Sequence, residues 1–108
     1  MANAYEVLGQ TTDNATGTAL VTCPASTEIV ISTLNICNRA SSSKTFRIYL
    51  RPDDETLADK HYLVYDTTIS GNDTISLTLG ITMNASDKLY VYGSDTNLSF
   101  SAFGTKIT

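Results

Sequence analysis

Glu28-Ile29-Val30-Ile31-Ser32-Thr33-Leu34-Asn35-Ile36-Cys37 is the stretch that decides the fold. Successive side chains of a strand point to opposite faces, so residues of one parity share a side. Ile29 and Ile31 have one parity, Leu34 and Ile36 the other. One extra residue near Ser32-Thr33, a β-bulge, returns all four to a single buried face. The segment therefore reads as a long strand, bulged once, with one side against a core.

The same alternation continues on either side. Thr45-Phe46-Arg47-Ile48-Tyr49-Leu50-Arg51, Ile75-Ser76-Leu77-Thr78-Leu79 and Leu89-Tyr90-Val91-Tyr92 each place their aliphatic residues on one side. Strands are expected over 4–9, 18–22, 28–37, 44–51, 61–66, 74–79, 88–93 and 98–104, with turn residues between them. Pro24 and Pro52 mark strand ends, because proline lacks the ladder donor and biases its predecessor to extended geometry. The acidic stretch 53–60 is too short for more than a turn or two of helix, with 3-10 character expected. Gly80 to Met83 either continues the preceding strand or bends across to another sheet. The loop 38–43 is expected to join 28–37 and 44–51 as an antiparallel hairpin. Eight strands spaced about ten residues apart, with no helices between them, give an all-β fold: an antiparallel β-sandwich, jelly-roll-like.

The 108 residues suit one β-sandwich domain over 1–108, with an extended arm allowed at 1–18. A chain of this length removes about two thirds of its unfolded surface from water, enough for one core. The net charge of −4 and scattered basic residues argue against nucleic acid as a partner, since counterion release needs clustered Lys and Arg. No stretch approaches the roughly 20 apolar residues of a membrane span, and the first residues lack the pattern of a signal peptide. No membrane partner is expected, and synthesis in the cytoplasm is. Asn14, Asn72, Asn84 and Asn97 open Asn-x-Ser/Thr triplets that read as turn chemistry. Cys23 and Cys37 fall on neighbouring predicted strands and are expected as reduced thiols; the face occupied by Cys37 is open.

No cluster of residues suited to catalysis emerges, so no enzyme activity, cofactor or metal is expected. His61 is the only histidine, which leaves any nucleophile–base arrangement to one residue at a strand start. Asp53-Asp54-Glu55 with Asp59 lacks the ligand spacing of a calcium loop and reads as solvated charge. No phosphate-cradling glycine motif is present. Tyr49, Tyr90 and Tyr92 have the parity opposite to their aliphatic neighbours and should emerge on outer faces. There they supply protein contact, stack on sugar rings, or pair across strands on a solvated surface. The segment Gln10 to Gly17 reads as a polar loop or arm. With Tyr5, Val7 and Leu8 before it, it is the candidate for strand addition to a partner or sister subunit.

The strings Tyr5-Glu6-Val7-Leu8-Gly9-Gln10, Leu34-Asn35-Ile36-Cys37-Asn38-Arg39, Thr45-Phe46-Arg47-Ile48, Lys60-His61-Tyr62-Leu63-Val64-Tyr65-Asp66 and Asn97-Leu98-Ser99-Phe100-Ser101-Ala102-Phe103-Gly104 carry a resemblance over nearly the whole chain. Together they resemble a family of small virion structural proteins of tailed bacteriophages, especially phages of aquatic bacteria including cyanobacteria. The resemblance implies a β-sandwich that binds other virion proteins. A cement or decoration protein on the capsid, bound to the major capsid protein, is the favoured role. The alternatives are a tail, collar, baseplate or fibre component, or a glycan-binding module of an adhesion structure. A homo-oligomer is expected, with a trimer favoured for its fit to local three-fold positions of a shell. The resemblance supplies no active residues.

Overall fold

The structure, a computed structural model, describes residues 3–108. Among these, nine strands follow in chain order: β1 (Asn3–Thr12), β2 (Thr18–Thr22), β3 (Glu28–Asn38), β4 (Lys44–Arg51), β5 (Tyr62–Ile69), β6 (Thr74–Leu77), β7 (Ile81–Met83), β8 (Lys88–Gly93) and β9 (Leu98–Ile107). Single 3-10 turns at Pro52–Asp54 and Asp59–His61 occupy the acidic connection from β4 to β5, as its composition suggested.

The first sheet has the order β1-β9-β3-β6, with β7 also on β3; the second has the order β2-β8-β4-β5. Every pairing is antiparallel. β6 and β7 run one after the other along β3, Leu77 facing Leu34 and Ile81 facing Ile31. Gly80 to Met83 thus stays on the same sheet. Counted as one interrupted strand, β6 and β7 leave eight strands whose connections mostly pass from one sheet to the other, the wiring of a jelly roll. The all-β antiparallel sandwich expected from alternation is the observed fold.

The pairing of β3 with β4 is not observed. They lie in opposite sheets, β3 between β9 and β6, β4 between β8 and β5. The connection 39–43 is long enough to span the ~10 Å between packed sheets. Buried Asn38 holds it there: its amide donates to the carbonyls of Ser42, Ile69 and Ser70, and its Oδ1 accepts from the Ala40 N–H. A loop rich in serine satisfies a crossover as well as a hairpin, and alternation within the strands does not distinguish the two.

The core lies between the sheets. Ile29, Ile31, Leu34, Ile36, Leu98, Phe100 and Ala102 face Val21, Phe46, Ile48, Ile69, Leu89 and Val91, all buried. Phe46 and Phe100 meet edge to face across the layers, ring centroids 6.5 Å apart. Fully burying each of these large side chains contributes about 1.5–3 kcal/mol.

The bulge in β3 is present: Ile31 faces Gly104 and Thr33 faces Phe103, leaving Ser32 as the extra residue. β1 repeats the device on the other side of β9, with Val7 facing Phe103, Gly9 facing Ala102, and Leu8 extra. The third strand across, β6/β7, breaks over 78–80, where Gly80 takes φ +61°, a conformation L side chains rarely adopt. One crease therefore crosses the first sheet at the level of Phe103.

The polar run 10–17, expected as a loop or arm, is partly strand. Gln10, Thr11 and Thr12 pair with Ser101, Phe100 and Ser99, and only 13–17 is loop. Buried Asp13 closes that loop, accepting from the Thr16 N–H (3.1 Å) and hydroxyl (2.9 Å), the Thr18 hydroxyl (2.7 Å) and the Gly93 N–H (3.0 Å). Desolvation pushes its carboxyl up, but these donors together hold it below the usual aspartate value. From residue 3 onward the segment 1–18 is built into the sandwich; residues 1 and 2 lie outside the described residues.

Both cysteines are free. Cys23 is buried at the end of β2, its Sγ 3.2 Å from the Thr27 carbonyl, and burial pushes its thiol up. Cys37 lies on the outer side of β3, between inward Ile36 and Asn38.

Candidate interaction surface

The second sheet carries five of the six tyrosines on its outer face. In β4 the inward residues are Phe46 and Ile48, so Arg47, Tyr49 and Arg51 face out; the register sets them beside Tyr92, Tyr90 and Lys88 of β8. Tyr49 stacks on Tyr90 with centroids 5.2 Å apart and planes 8° apart, and packs against Tyr62 at 5.3 Å. Tyr62 meets Tyr65 edge to face at 4.8 Å. Arg47 lies between the rings of Tyr65 (4.3 Å) and Tyr92 (4.6 Å), while Arg51 covers Tyr90 at 4.8 Å. Arg47 also donates through Nε and Nη2 to both oxygens of Asp66, at 2.6 and 3.2 Å, and this holds the Asp66 carboxyl below its ordinary range.

Parity thus places Tyr49, Tyr90 and Tyr92 on the outer side, but not in solvent. Tyr49 is only 6% exposed, covered by the two neighbouring rings and by Gly17, where a side chain would strike its hydroxyl. Burial pushes its phenol above the ordinary value. Tyr90 and Tyr92 are half-buried beneath the two guanidinium groups. The open aromatic ring of this face is Tyr65, 57% exposed. With Tyr62 and Asp59 it lines a shallow depression of about 410 Å³.

Tyr62, Tyr65 and Arg47 were not singled out by the pattern. Residues three apart ordinarily face opposite ways. Here Ile48 faces Val64 and Tyr49 faces Tyr62, so the register slips by one and both tyrosines emerge on one side. The positive φ of Asp66 belongs to a second irregularity opposite Arg47. Arg47 was findable, since it shares parity with Tyr49.

The first sheet offers a different surface. Its outer side is a lattice of small polar groups: Ser76 donates to Asn35 at 2.6 Å, Arg39 to Ser99 at 3.0 Å, Gln10 to Ser101 at 3.3 Å. Beside the crease this gives way to apolar side chains. Val7 lies beside Phe103, and Tyr5 beside Thr105 and then Val30. Tyr5 is 89% exposed and Val7 53%; with Glu6, Ser32, Phe103 and Gly104 they line a second shallow depression of about 410 Å³. Leu8, the bulged residue, is half-buried against the core. Of the candidate residues from sequence, Tyr5 and Val7 lie together at one edge, Tyr49, Tyr90 and Tyr92 together on the opposite face.

β1 is an edge strand. Among the described residues it pairs with β9 alone, leaving its other side unpaired over Asn3–Thr12. The other three edges are less open: β6 and β7 are four and three residues, β2 is five with a register shift, and β5 is bulged twice.

His61 is buried, and both ring nitrogens are engaged. The Ala58 N–H donates to Nδ1 at 2.9 Å, so Nε2 carries the proton and donates to Glu55 Oε1 at 3.2 Å. The acidic loop is distributed among cations, Asp54 to Lys88 and Arg51, Glu55 to Lys60. Among the described residues no three His, Cys, Asp or Glu side chains converge as a metal site would require.

No protein-family model matches this chain, and no curated protein is similar to it in sequence. Among solved structures it is similar to a chain from the structure of infectious bursal disease virus, Gx strain, with a TM-score of 0.53 and 14% identity. The match covers 97% of this chain and 31% of that one, so this chain spans about a third of the viral chain's length. At this identity the likeness is one of fold, the jelly-roll sandwich.

Proposed function

We propose that the chain is a virion structural protein that acts by binding sister proteins, most specifically as a cement or decoration protein on a bacteriophage capsid. The observation that carries this reading is the fold match itself: nearly every residue aligns with part of a chain from a virus structure. The bacteriophage and cement parts of the proposal rest on the sequence resemblance alone, which no family model or curated sequence match accompanies. Its partners are then the major capsid protein, other virion proteins and further copies of itself, with no role for nucleic acid, membrane or cofactor. Assembly takes place in the host cytoplasm and the final location is the virion. Cementing works by additive burial: each copy straddles neighbouring subunits, and about 25 cal/mol per Å² of apolar contact, repeated over many copies, opposes shell expansion. No turnover of any substrate is part of this role.

Quantitative mass spectrometry of purified particles tests the proposal. Hundreds of copies per virion mean the shell, and about a dozen mean a tail, collar or baseplate ring. Absence from particles removes the proposal.

A glycan-binding role is the second reading, and the Tyr65, Tyr62 and Asp59 depression favours it: sugar rings stack on aromatic faces and their hydroxyls donate to carboxylates. Host polysaccharide should then quench tyrosine fluorescence, and Tyr65→Ala should abolish the quenching. The covered Tyr90 and Tyr92 should matter less. No quenching by host polysaccharide sinks this reading.

A further inference from the structure

We infer that β1 is the contact between two copies of this chain, paired antiparallel about a two-fold axis through Tyr5 so that the first sheets of the copies join into one. The argument starts from the backbone. An edge strand presents a row of unpaired N–H and C=O groups, and proteins blunt such edges by shortening, bulging or charging them. Three edges of this sandwich are short or bulged, and β1 is neither over its outer half. Asn3 to Val7 is a regular run, in register with 103–107, and the bulge comes only after it. Its one charged residue is Glu6. Tyr5 and Val7 stand exposed beside Phe103 on its outer side, where a solvated strand would carry polar groups.

The side chains of that run select the occupant and the register. Centring the two-fold on Tyr5 uses only the regular five residues: Tyr5 faces Tyr5 of the second copy, and Asn3 faces its Val7. The two exposed rings then cover each other, and the apolar strip from Phe103 continues across the junction. On the opposite side, Ala4 faces Glu6 of the second copy. Lys106, directly across β9 from Ala4, then lies in one row with that Glu6, two strand spacings or about 10 Å away, with only the alanine methyl between them. Lys106 already reaches its own Glu6 at 3.3 Å, so its ammonium sits on this side of the sheet, near the junction. Each copy thus offers a cation to the other's carboxylate, and the charges alternate instead of opposing. Moving the axis to Glu6 would set two carboxylates face to face, which disfavours pairing. The contact is isologous, a two-fold where shell geometry alone suggested a three-fold. It holds whether or not the chain belongs to a virion.

Sedimentation across a concentration series, with hydrogen exchange of the Asn3 to Val7 amides, tests this. The expected result is a monomer–dimer equilibrium in which the amides of the run that point away from β9, those of alternate residues, become protected as the dimer forms. Tyr5→Lys, at a site too exposed to affect the fold, abolishes the dimer. The register has its own test. Glu6→Lys and Lys106→Glu each place like charges in both rows of a homodimer, so each variant alone dimerises at least about tenfold more weakly. Mixing the two restores opposite charges in both rows, and a heterodimer forms. A monomer at all concentrations whose outward-pointing β1 amides exchange freely overturns the inference, as does a dimer that Tyr5→Lys leaves intact. A mixture of the charge variants that stays monomeric overturns the register.

Discussion

The two outer surfaces of this sandwich differ in how their recognition chemistry is used. The face of the β2-β8-β4-β5 sheet holds five tyrosines and two arginines, the residue types that dominate protein interfaces. Nearly all of that capacity is directed inward. Tyr49 is shut between rings, Arg47 and Arg51 lie on tyrosines, and Asp66 holds Arg47 in place. The edge of the other sheet has one tyrosine and one valine, both in the open beside an unpaired backbone. Composition therefore overstates what the rich face has free to offer a partner. What decides availability is whether a side chain already has its partners, and on that criterion the sparse edge exceeds the rich face.

The largest effect should come from taking the rich face apart. Tyr49→Ala removes a buried ring that supports Tyr62 and Tyr90, and about 3 kcal/mol of stability should go with it in urea unfolding. A loss well below 1 kcal/mol would show that the aromatic face is decoration on the sheet and not part of what holds it together.

The loop that covers Tyr49 gives the next effect. Asp13→Asn should cost about 2 kcal/mol at neutral pH, because one amide oxygen replaces two carboxylate oxygens that accept four hydrogen bonds. The pH dependence has a definite sign. The folded pKa of Asp13 lies below the ordinary 3.8, so the unfolded chain takes up the proton first. Its contribution is complete above the unfolded value and is lost as the pH falls from there through the folded pKa. Asp66, held low by the Arg47 hydrogen bonds, and Asp95, held low by the Asn97 N–H, act in the same direction. Asp13→Asn should accordingly flatten, without abolishing, the fall in stability below pH 4. An identical acid profile for variant and parent would count against the buried carboxylate.

Alternation made the sheets legible because the central strands β3, β4, β8 and β9 each have one dry side. The bulge at Ser32 could be located from sequence because Ile29, Ile31, Leu34 and Ile36 must all be buried, and only one extra residue permits it. The partner of β3 could not. Pairing depends on what the loop 39–43 does, and the serines there commit it neither to a hairpin nor to a crossover; the deciding contacts, from Asn38 to Ser42, Ile69 and Ser70, span the chain. The candidate surface was legible by halves for a similar reason. Parity gave the outward direction of Tyr49, Tyr90 and Tyr92. Whether a neighbour then covers an outward ring is a tertiary fact, and the slips in β5 that bring Tyr62 and Tyr65 to the same face are invisible in its apolar pattern.

Arg47→Ala isolates the cationic part of the rich face. Two ring contacts are lost, worth about 1 kcal/mol together at this exposure. Lysine should recover little of it, because a planar guanidinium stacks between two rings and an ammonium does not. Full recovery by Arg47→Lys would mean that the charge alone matters, through Asp66.

The smallest effect belongs to the sparse edge, and its smallness is what distinguishes the edge from the face. In dilute protein Tyr5→Ala should change unfolding free energy by no more than about 0.5 kcal/mol, since a ring that is 89% exposed gives up almost no packing. At high concentration the parent chain should unfold at rising urea concentration, because a contact made only between folded copies stabilises them by mass action. The Tyr5→Ala chain should show no such rise, and Tyr65→Ala, also exposed but on the other face, should rise with the parent. Concentration dependence is thus the measurement that separates a residue that holds the monomer together from one that joins two monomers. If Tyr5→Ala destabilises the dilute protein as much as Arg47→Ala does, the contrast between the two surfaces fails.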